Sequence, residues 1–199
     1  EIAKADAPTI FQINGPVGFQ AWKEYCADLS GTRLYGYLSD KSLAVSEGNG
    51  VYGIPYVVEG YGIIYNNAIL QKYFALPDKA VSITTADEID SFADLKAVVE
   101  DMTAKKVSLG IEGVFASTSL NQGEQWRWQT HLANLPLYYE FRDNKDFDNT
   151  VLAGLEAGEI QFKYGDQFRN IFDLYTNNSS TAKGLLGSKS VNDSMAEFA

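Results

Sequence analysis

A single carboxylate, Glu59, interrupts the apolar stretch GIPYVVEGYGIIYN at residues 53–66. The stretch predicts a β-strand, and along a strand Val57, Glu59 and Tyr61 would share one face. A charge in such a run is costly unless it meets water or a partner. We therefore interpret Glu59, with Tyr61 beside it, as a ligand-binding carboxylate that accepts hydrogen bonds from hydroxyls or amines. The alternative is an exposed or salt-bridged surface glutamate.

A second candidate is the segment NQGEQWRW, residues 121–128. The amide of Gln122 and the carboxylate of Glu124 precede a predicted helix, on which Trp126 and Trp128 would be separated by about 200°. Both indoles cannot then face the same core, so we assign Trp128 to an apolar stripe. Trp126 either lines a cleft, where an indole stacks on a sugar ring or a cation, or packs beneath a loop. The polar loop is either a ligand contact or solvated surface.

Asn14 follows a predicted strand at Thr9–Ile13 and precedes a helix, so it is either a ligand contact or a helix cap. The single histidine and single cysteine, His131 and Cys26, lie in predicted helices. We predict structural roles for both, with Cys26 as a small buried hydrophobe. One residue of each type excludes a disulfide within the chain and a Cys/His metal cluster.

The composition narrows the class of protein. With 199 residues, 45% of them hydrophobic, the chain can bury the core of one large domain or two small ones. The net charge of −10 argues against a nucleic acid or an anionic membrane as partner. The 12 Tyr, 11 Phe and 3 Trp exceed the needs of a core, so some rings should lie at a surface or cleft.

Apolar periodicity and turn residues predict the elements that would position these residues. Two short strands should flank the GNG turn at 48–50, and VSLGIEGVFAS at 107–117 is a further strand candidate. The predicted helices begin at Pro16, after the caps Asn66, Ser91 and Ser190, at Trp126 and at Asp166. Strands separated by helices favour an α/β fold with a substantially parallel sheet. No P-loop, nucleophile-elbow or HExxH motif is present.

Four segments together resemble a known family. VYGIPYVVEGYGIIYN resembles the interlobe segment of the extracellular solute-binding proteins (family 1) of ABC importers, in the carbohydrate-binding group that includes maltose-binding protein. APTIFQING resembles the first-lobe strand of that family, and WRWQTHLANL and YGDQFRNIFDLYTNNS resemble second-lobe segments. The resemblance implies an α/β, periplasmic-binding-protein-like fold of two lobes (type II), here partial. Residues 1–58 would form part of the first lobe, 59–65 a hinge strand and 66–199 most of the second lobe, truncated at its C-terminal end.

The resemblance also implies a function. A mono- or oligosaccharide would be held between the lobes without chemistry, and closure on binding would be read by a membrane permease. The implied ligand contacts are Asn14, Glu59, Tyr61, Gln122, Glu124 and Trp126. The protein would be an extracellular or periplasmic monomer, with or without a lipid anchor, and would need no cofactor, metal or nucleic acid.

Departures from the family pattern leave alternatives open. Family members begin with a signal or lipoprotein segment and continue past EFA into a further strand, so we expect an internal fragment that binds weakly or not at all. The loop at residues 122–126 does not match the family's sugar-contacting motif, so the ligand need not be maltose. A glycoside-active enzyme pairing Glu59 with Glu124 or Glu112 is one alternative. A ligand-sensing ectodomain is another.

Overall fold

The computed structural model describes residues 8–60, 62–142, 158 and 160–198. The chain divides into two compact units, Glu1–Ile63 and Ile64–Ala199. The described residues are rich in short helices and contain a single small sheet. None of the helices among these residues is long and apolar enough to span a bilayer.

The first unit combines helices with a β-hairpin. Its elements are α1 (Gly15–Trp22), a 3-10 turn (Lys23–Tyr25), α2 (Arg33–Tyr37), a second 3-10 turn (Lys41–Leu43), β1 (Val45–Glu47) and β2 (Gly50–Gly53). The strands are antiparallel, with Ser46 opposite Val51 and Glu47 opposite Gly50. The predicted turn at 48–50 is confirmed, and Gly48 adopts a left-handed φ of +57° that favours glycine.

The hairpin also explains a glycine pattern. GNGVYG at 48–53 has the spacing of a dinucleotide-binding fingerprint, which requires a strand, a tight turn and then a helix. Here the letters form a hairpin turn and β2, and no helix follows directly. The spacing therefore carries no nucleotide site. Instead, Tyr52 of β2 stacks on the buried ring of Phe19, with centroids 4.8 Å apart.

The second unit is helical in its described residues. Its elements are α3 (Asn67–Phe74), a 3-10 turn (Ala86–Glu88), α4 (Phe92–Ala104), α5 (Lys106–Leu109), a π-helix (Arg127–Leu132), α6 (Asn134–Arg142), α7 (Gly165–Asn177), a 3-10 segment (Lys183–Ser188) and α8 (Val191–Phe198). The predicted caps are confirmed. Asn66 accepts hydrogen bonds from the first turn of α3, and Ser91 and Ser190 do the same for α4 and α8.

The core of the second unit lies between α3, α4 and α5, where Tyr73, Val98 and Met102 are buried. One carboxylate, Asp101, is buried with them and accepts hydrogen bonds from Tyr73 Oη at 2.8 Å and Lys105 Nζ at 2.9 Å. Burial acts to raise the pKa of Asp101, but these bonds and one from the Ala80 amide lower it overall. The charge is therefore fully paired and serves the fold.

Several predicted strands are wrong among the described residues. Thr9–Ile13 forms no strand, and Ile10 remains 89% exposed because no neighbouring strand pairs with it. The segment 107–117 begins instead in α5, which Gly110 ends at a left-handed φ of +73°. Only a single parallel bridge, between Phe115 and Ser179, occurs there. The described residues thus contain a hairpin and this bridge rather than a substantially parallel sheet.

The first predicted helix is shorter than expected. It begins at Gly15 beside Pro16, as predicted, but ends at Trp22 and gives way to a 3-10 turn. Cys26 therefore lies beyond the helix and is half-buried rather than buried. Its thiol donates to the carbonyl of Trp22 at 3.4 Å.

Candidate ligand-binding residues

Asn14 lies at the N-cap position of α1, but its side chain makes no capping hydrogen bond. Its carbonyl oxygen accepts from the Gly18 amide at 3.1 Å, which starts the helix. Its side-chain oxygen accepts instead from Gln12 Nε2 at 3.4 Å, and the residue is exposed. The Asn14 amide is therefore available to solvent rather than committed to the helix.

Glu59 lies in an irregular segment, because the predicted strand at 53–66 ends at Gly53 among the described residues. Glu59 is exposed and makes no hydrogen bond or ion pair with the residues that the structure describes. Its apolar neighbours are also exposed, Tyr56 by 82% and Ile64 by 83%, because no strand of the described chain pairs with the segment. Tyr61 lies outside the described residues.

Gln122 and Glu124 lie in a turn that precedes the π-helix, as predicted for a polar loop. Gln122 is exposed. Glu124 is half-buried, and its Oε2 accepts from the Val191 amide at 2.5 Å, at the first turn of α8. The loop is joined to the same region by the Asn121 amide, which donates to the Lys189 carbonyl at 3.2 Å. Glu124 therefore has a structural contact that sequence patterns did not predict.

The other end of this loop is fixed by Glu197, near the end of α8. Its carboxylate accepts from the Ser117 amide at 2.7 Å, from Ser180 Oγ and from Lys189 Nζ at 2.9 Å. Burial acts to raise the pKa of Glu197, but these hydrogen bonds outweigh it and hold the pKa at about 2. Ser194 Oγ, one turn earlier, donates to the Ser117 carbonyl. We call residues 117–125 the anchored loop.

The two tryptophans separate as predicted. Trp128 donates its Nε1–H to Thr118 Oγ1 and makes edge contacts with Phe168, Phe172 and Tyr175. Its ring thus joins α7 to the anchored loop.

Trp126 remains 40% exposed, beside the anchored loop. The guanidinium of Arg127 lies 4.2 Å from the centre of its ring, and the ring of His131 meets it edge-on at 4.7 Å. The position of His131 fits the structural role predicted for it. Trp126 is therefore an exposed indole whose position is set by its neighbours.

Sequence patterns did not predict the cavity of about 520 Å³ beside the first turns of α7. It is lined by the rings of Phe162, Phe168 and Phe172 and by the charged side chains of Lys163, Asp166 and Arg169. The sequence pattern that could have predicted this cavity lies in FKYGDQFRNIF, where aromatic and charged residues recur at helical spacing.

No group of three or more His, Cys, Asp or Glu side chains in the described part of the chain could hold a metal ion. Of the two partners considered for Glu59 in an enzyme, Glu124 is bound to the Val191 amide. Glu112 is exposed.

The family model of the bacterial extracellular solute-binding proteins matches residues 1–199, which is the whole chain. The protein belongs to this family. The prediction from the four resembling segments that the chain is an extracellular solute-binding protein is thus confirmed. No curated protein and no solved structure matches the chain significantly. As a solute-binding protein, the chain has a substrate-binding role in transport, outside the cytoplasmic membrane.

Proposed function

We propose that this solute-binding protein captures a carbohydrate, a mono- or oligosaccharide, for an ABC importer and releases it unchanged to a membrane permease. The two-lobed type II arrangement, with residues 59–65 as its hinge, is part of this proposal. So are a monomeric state, a lipid anchor and the absence of a cofactor. The observation that carries the proposal is Trp126, an exposed indole beside a polar loop that is anchored at both ends.

The proposed chemistry divides between stacking and hydrogen bonding. Trp126 would stack on the apolar face of a sugar ring. Gln122, exposed in the anchored loop, would donate and accept through its amide. Glu124 uses one oxygen for the Val191 amide and keeps Oε1 as an acceptor for a sugar hydroxyl. Such a loop loses little conformational entropy on binding, which favours affinity.

The first unit would supply Asn14, Glu59 and Tyr61 to the same solute. Glu59 has no partner among the described residues, so its carboxylate can accept hydroxyl donors without breaking an existing bond. Asn14 would add a neutral amide. To bind the solute, its side-chain oxygen would give up only the long hydrogen bond from Gln12. The role of Tyr61 rests on the resemblance alone.

Arg127 affects how Trp126 would be used. Its guanidinium lies over the indole and competes with a sugar for that face of the ring. A sugar must therefore displace Arg127 or stack on the other face. Replacing Arg127 with alanine should strengthen saccharide binding in the first case and leave it unchanged in the second.

The proposal is tested by thermal-shift and calorimetric titration of the full chain with mono- and oligosaccharides, amino acids and polyamines. A saccharide that binds the native state should raise the unfolding midpoint in proportion to the logarithm of its concentration. Trp126→Ala should abolish the shift. Trp22→Ala is a matched control, because Trp22 is 39% exposed and lies in the first unit.

Two results would contradict the proposal. Recovery of cleaved sugar after incubation would show chemistry, and the glycoside-active alternative with Glu59 would replace pure binding. Stabilisation by amino acids or polyamines alone would leave the solute-binding role in place and overturn the carbohydrate assignment.

A further inference from the structure

The cavity beside α7 has features of a built binding site. We call it the α7 groove, lined by Phe162, Lys163, Asp166, Phe168, Arg169 and Phe172. Its volume of about 520 Å³ falls within the range of small-molecule pockets. None of its lining residues belongs to the anchored loop or to the proposed carbohydrate contacts.

One residue of the groove lining, Phe162, is held in an unfavourable backbone conformation. Phe162 has a φ of +56°, a left-handed value that a bulky side chain rarely adopts. The buried carboxylate of Glu140 fixes it by accepting from the Gln161 amide at 2.6 Å and the Lys163 amide at 3.0 Å. Backbone strain of this kind is concentrated at functional sites. Here its effect is to place a phenyl ring on the wall of the groove.

The charges of the groove favour an anion. Neither Lys163 nor Arg169 forms an ion pair with the residues that the structure describes. Arg169 stands three residues after Asp166 on α7, a spacing suited to an ion pair, yet the two are not paired. Two unpaired cations against one carboxylate form a local positive surface on a chain of net charge −10. The first turn of α7 adds the positive end of the helix dipole.

The walls favour an apolar ring. Three phenyl rings line the groove, and Phe168 stacks against Phe172 with an interplanar angle of 22°. Apart from Gly165 and the three charged side chains, the whole lining is phenyl, so the groove offers ring faces on which a flat apolar ring can stack. A flat ring that carries a carboxylate satisfies both features, because Arg169 can bind the carboxylate in a bidentate manner.

We propose that the α7 groove binds a small aromatic carboxylate, with the ring between the phenyl side chains and the carboxylate on Arg169 and Lys163. This site is separate from the proposed carbohydrate contacts. It would give the protein a second class of ligand.

Trp128 provides a direct readout, because its indole contacts two walls of the groove, Phe168 at 6.5 Å and Phe172 at 5.0 Å. In the full chain with Trp22→Phe and Trp126→Phe, Trp128 is the remaining tryptophan and its fluorescence reports on the groove. Benzoate should change this fluorescence saturably. Benzamide, its neutral counterpart, should bind at least tenfold more weakly, and acetate, which lacks the ring, should have no effect.

Two variants locate the binding. Arg169→Gln should weaken benzoate at least tenfold, and Arg33→Gln, an exposed arginine of the first unit, should not. Phe162→Gly should also weaken benzoate, and it should fold well because glycine adopts a positive φ without strain. This variant separates loss of the site from loss of the fold.

Three results would overturn the proposal. One is the absence of a saturable change with benzoate, and another is equal affinity for benzamide. The third is benzoate binding that neither Arg169→Gln nor Phe162→Gly weakens, since benzoate would then bind outside the α7 groove. Saccharide binding lost in Trp126→Ala tests the proposed function separately, so either proposal can fail without the other.

Discussion

The two segments that carry the proposed carbohydrate contacts are held in opposite ways. The anchored loop is tied at both ends, through Ser117 to Glu197 and through Glu124 to Val191. Residues 54–60, which include Glu59, form no hydrogen bond with the described part of the chain. The anchored loop is held by hydrogen bonds at both ends, whereas residues 54–60 have none with the residues that the structure describes.

This difference has a consequence for binding. Ordering the backbone costs about 1–2 kcal/mol per residue, so a ligand that orders residues 54–60 would lose part of its binding energy to that process. A ligand that contacts the anchored loop would not. The anchored loop is therefore suited to affinity, whereas a change in conformation of the segment around Glu59 on binding remains part of the proposed hinge.

The largest expected effect comes from removing the aromatic anchor of the loop. Trp128→Ala deletes contacts with Phe168 and Phe172 and the hydrogen bond to Thr118, and should cost about 3 kcal/mol of unfolding free energy. Urea denaturation followed by circular dichroism measures this change. Trp126→Ala, at an exposed site, should cost less than about 1 kcal/mol. Equal losses in the two variants would mean that Trp128 does not anchor the loop.

The second effect concerns Glu197, whose carboxylate lies near the C-terminal end of α8 and holds Ser117, the first residue of the anchored loop. Glu197→Gln removes the charge that accepts from the Ser117 amide and Lys189, and should cost about 2 kcal/mol. Hydrogen exchange should accelerate at the amides of residues 117–124 but not in α4. The matched control is Glu112→Gln, at an exposed residue. Unchanged exchange at Ser117 would show that the hydrogen bond does not hold the loop.

The same carboxylate makes the stability of the second unit depend on pH. The pKa of Glu197 is lowered from 4.5 to about 2 in the folded protein. Its contribution is therefore complete above pH 4.5 and is lost as the pH falls towards 2. Unfolding free energies of the wild type and Glu197→Gln should converge across this interval. Parallel pH profiles would exclude the mechanism.

Local patterns predicted the elements whose causes are local. Asn66, Ser91 and Ser190 cap helices because each side chain reaches an amide two or three residues further along the chain. A strand depends on a partner strand elsewhere in the sequence. Apolar residues alone therefore led to the wrong prediction of strands at Thr9–Ile13 and after Gly53. The prediction of the turn at 48–50 was correct because the two strands that it joins lie directly beside it in the sequence.

The same distinction applies to the candidate sites. The sequence predicted the separation of Trp126 from Trp128, since both lie on one helical segment. It did not predict that Glu197 holds Ser117, a residue 80 positions away, or that Glu140 holds Gln161. Neither carboxylate lies in a recognisable motif. Those contacts arise from packing between elements, which no local pattern records.

The smallest expected effect on stability is at Glu59. It gives the clearest contrast between the segment around Glu59 and the anchored loop, because only in the anchored loop should affinity and stability fall together. Glu59→Gln should change the unfolding free energy by no more than about 0.5 kcal/mol, because the carboxylate is exposed and unpaired among the described residues. Saccharide affinity should nevertheless fall about tenfold or more, because a hydrogen bond to a charged group is worth about 1.5–3 kcal/mol.

Glu124→Gln is the informative comparison, because this substitution also weakens the bond to the Val191 amide and should lower affinity and stability together. Calorimetric titration and urea denaturation of both variants measure the two quantities. A loss of stability in Glu59→Gln would mean that the carboxylate supports the fold. Unchanged affinity would remove Glu59 from the proposed contacts and leave the anchored loop to account for binding alone.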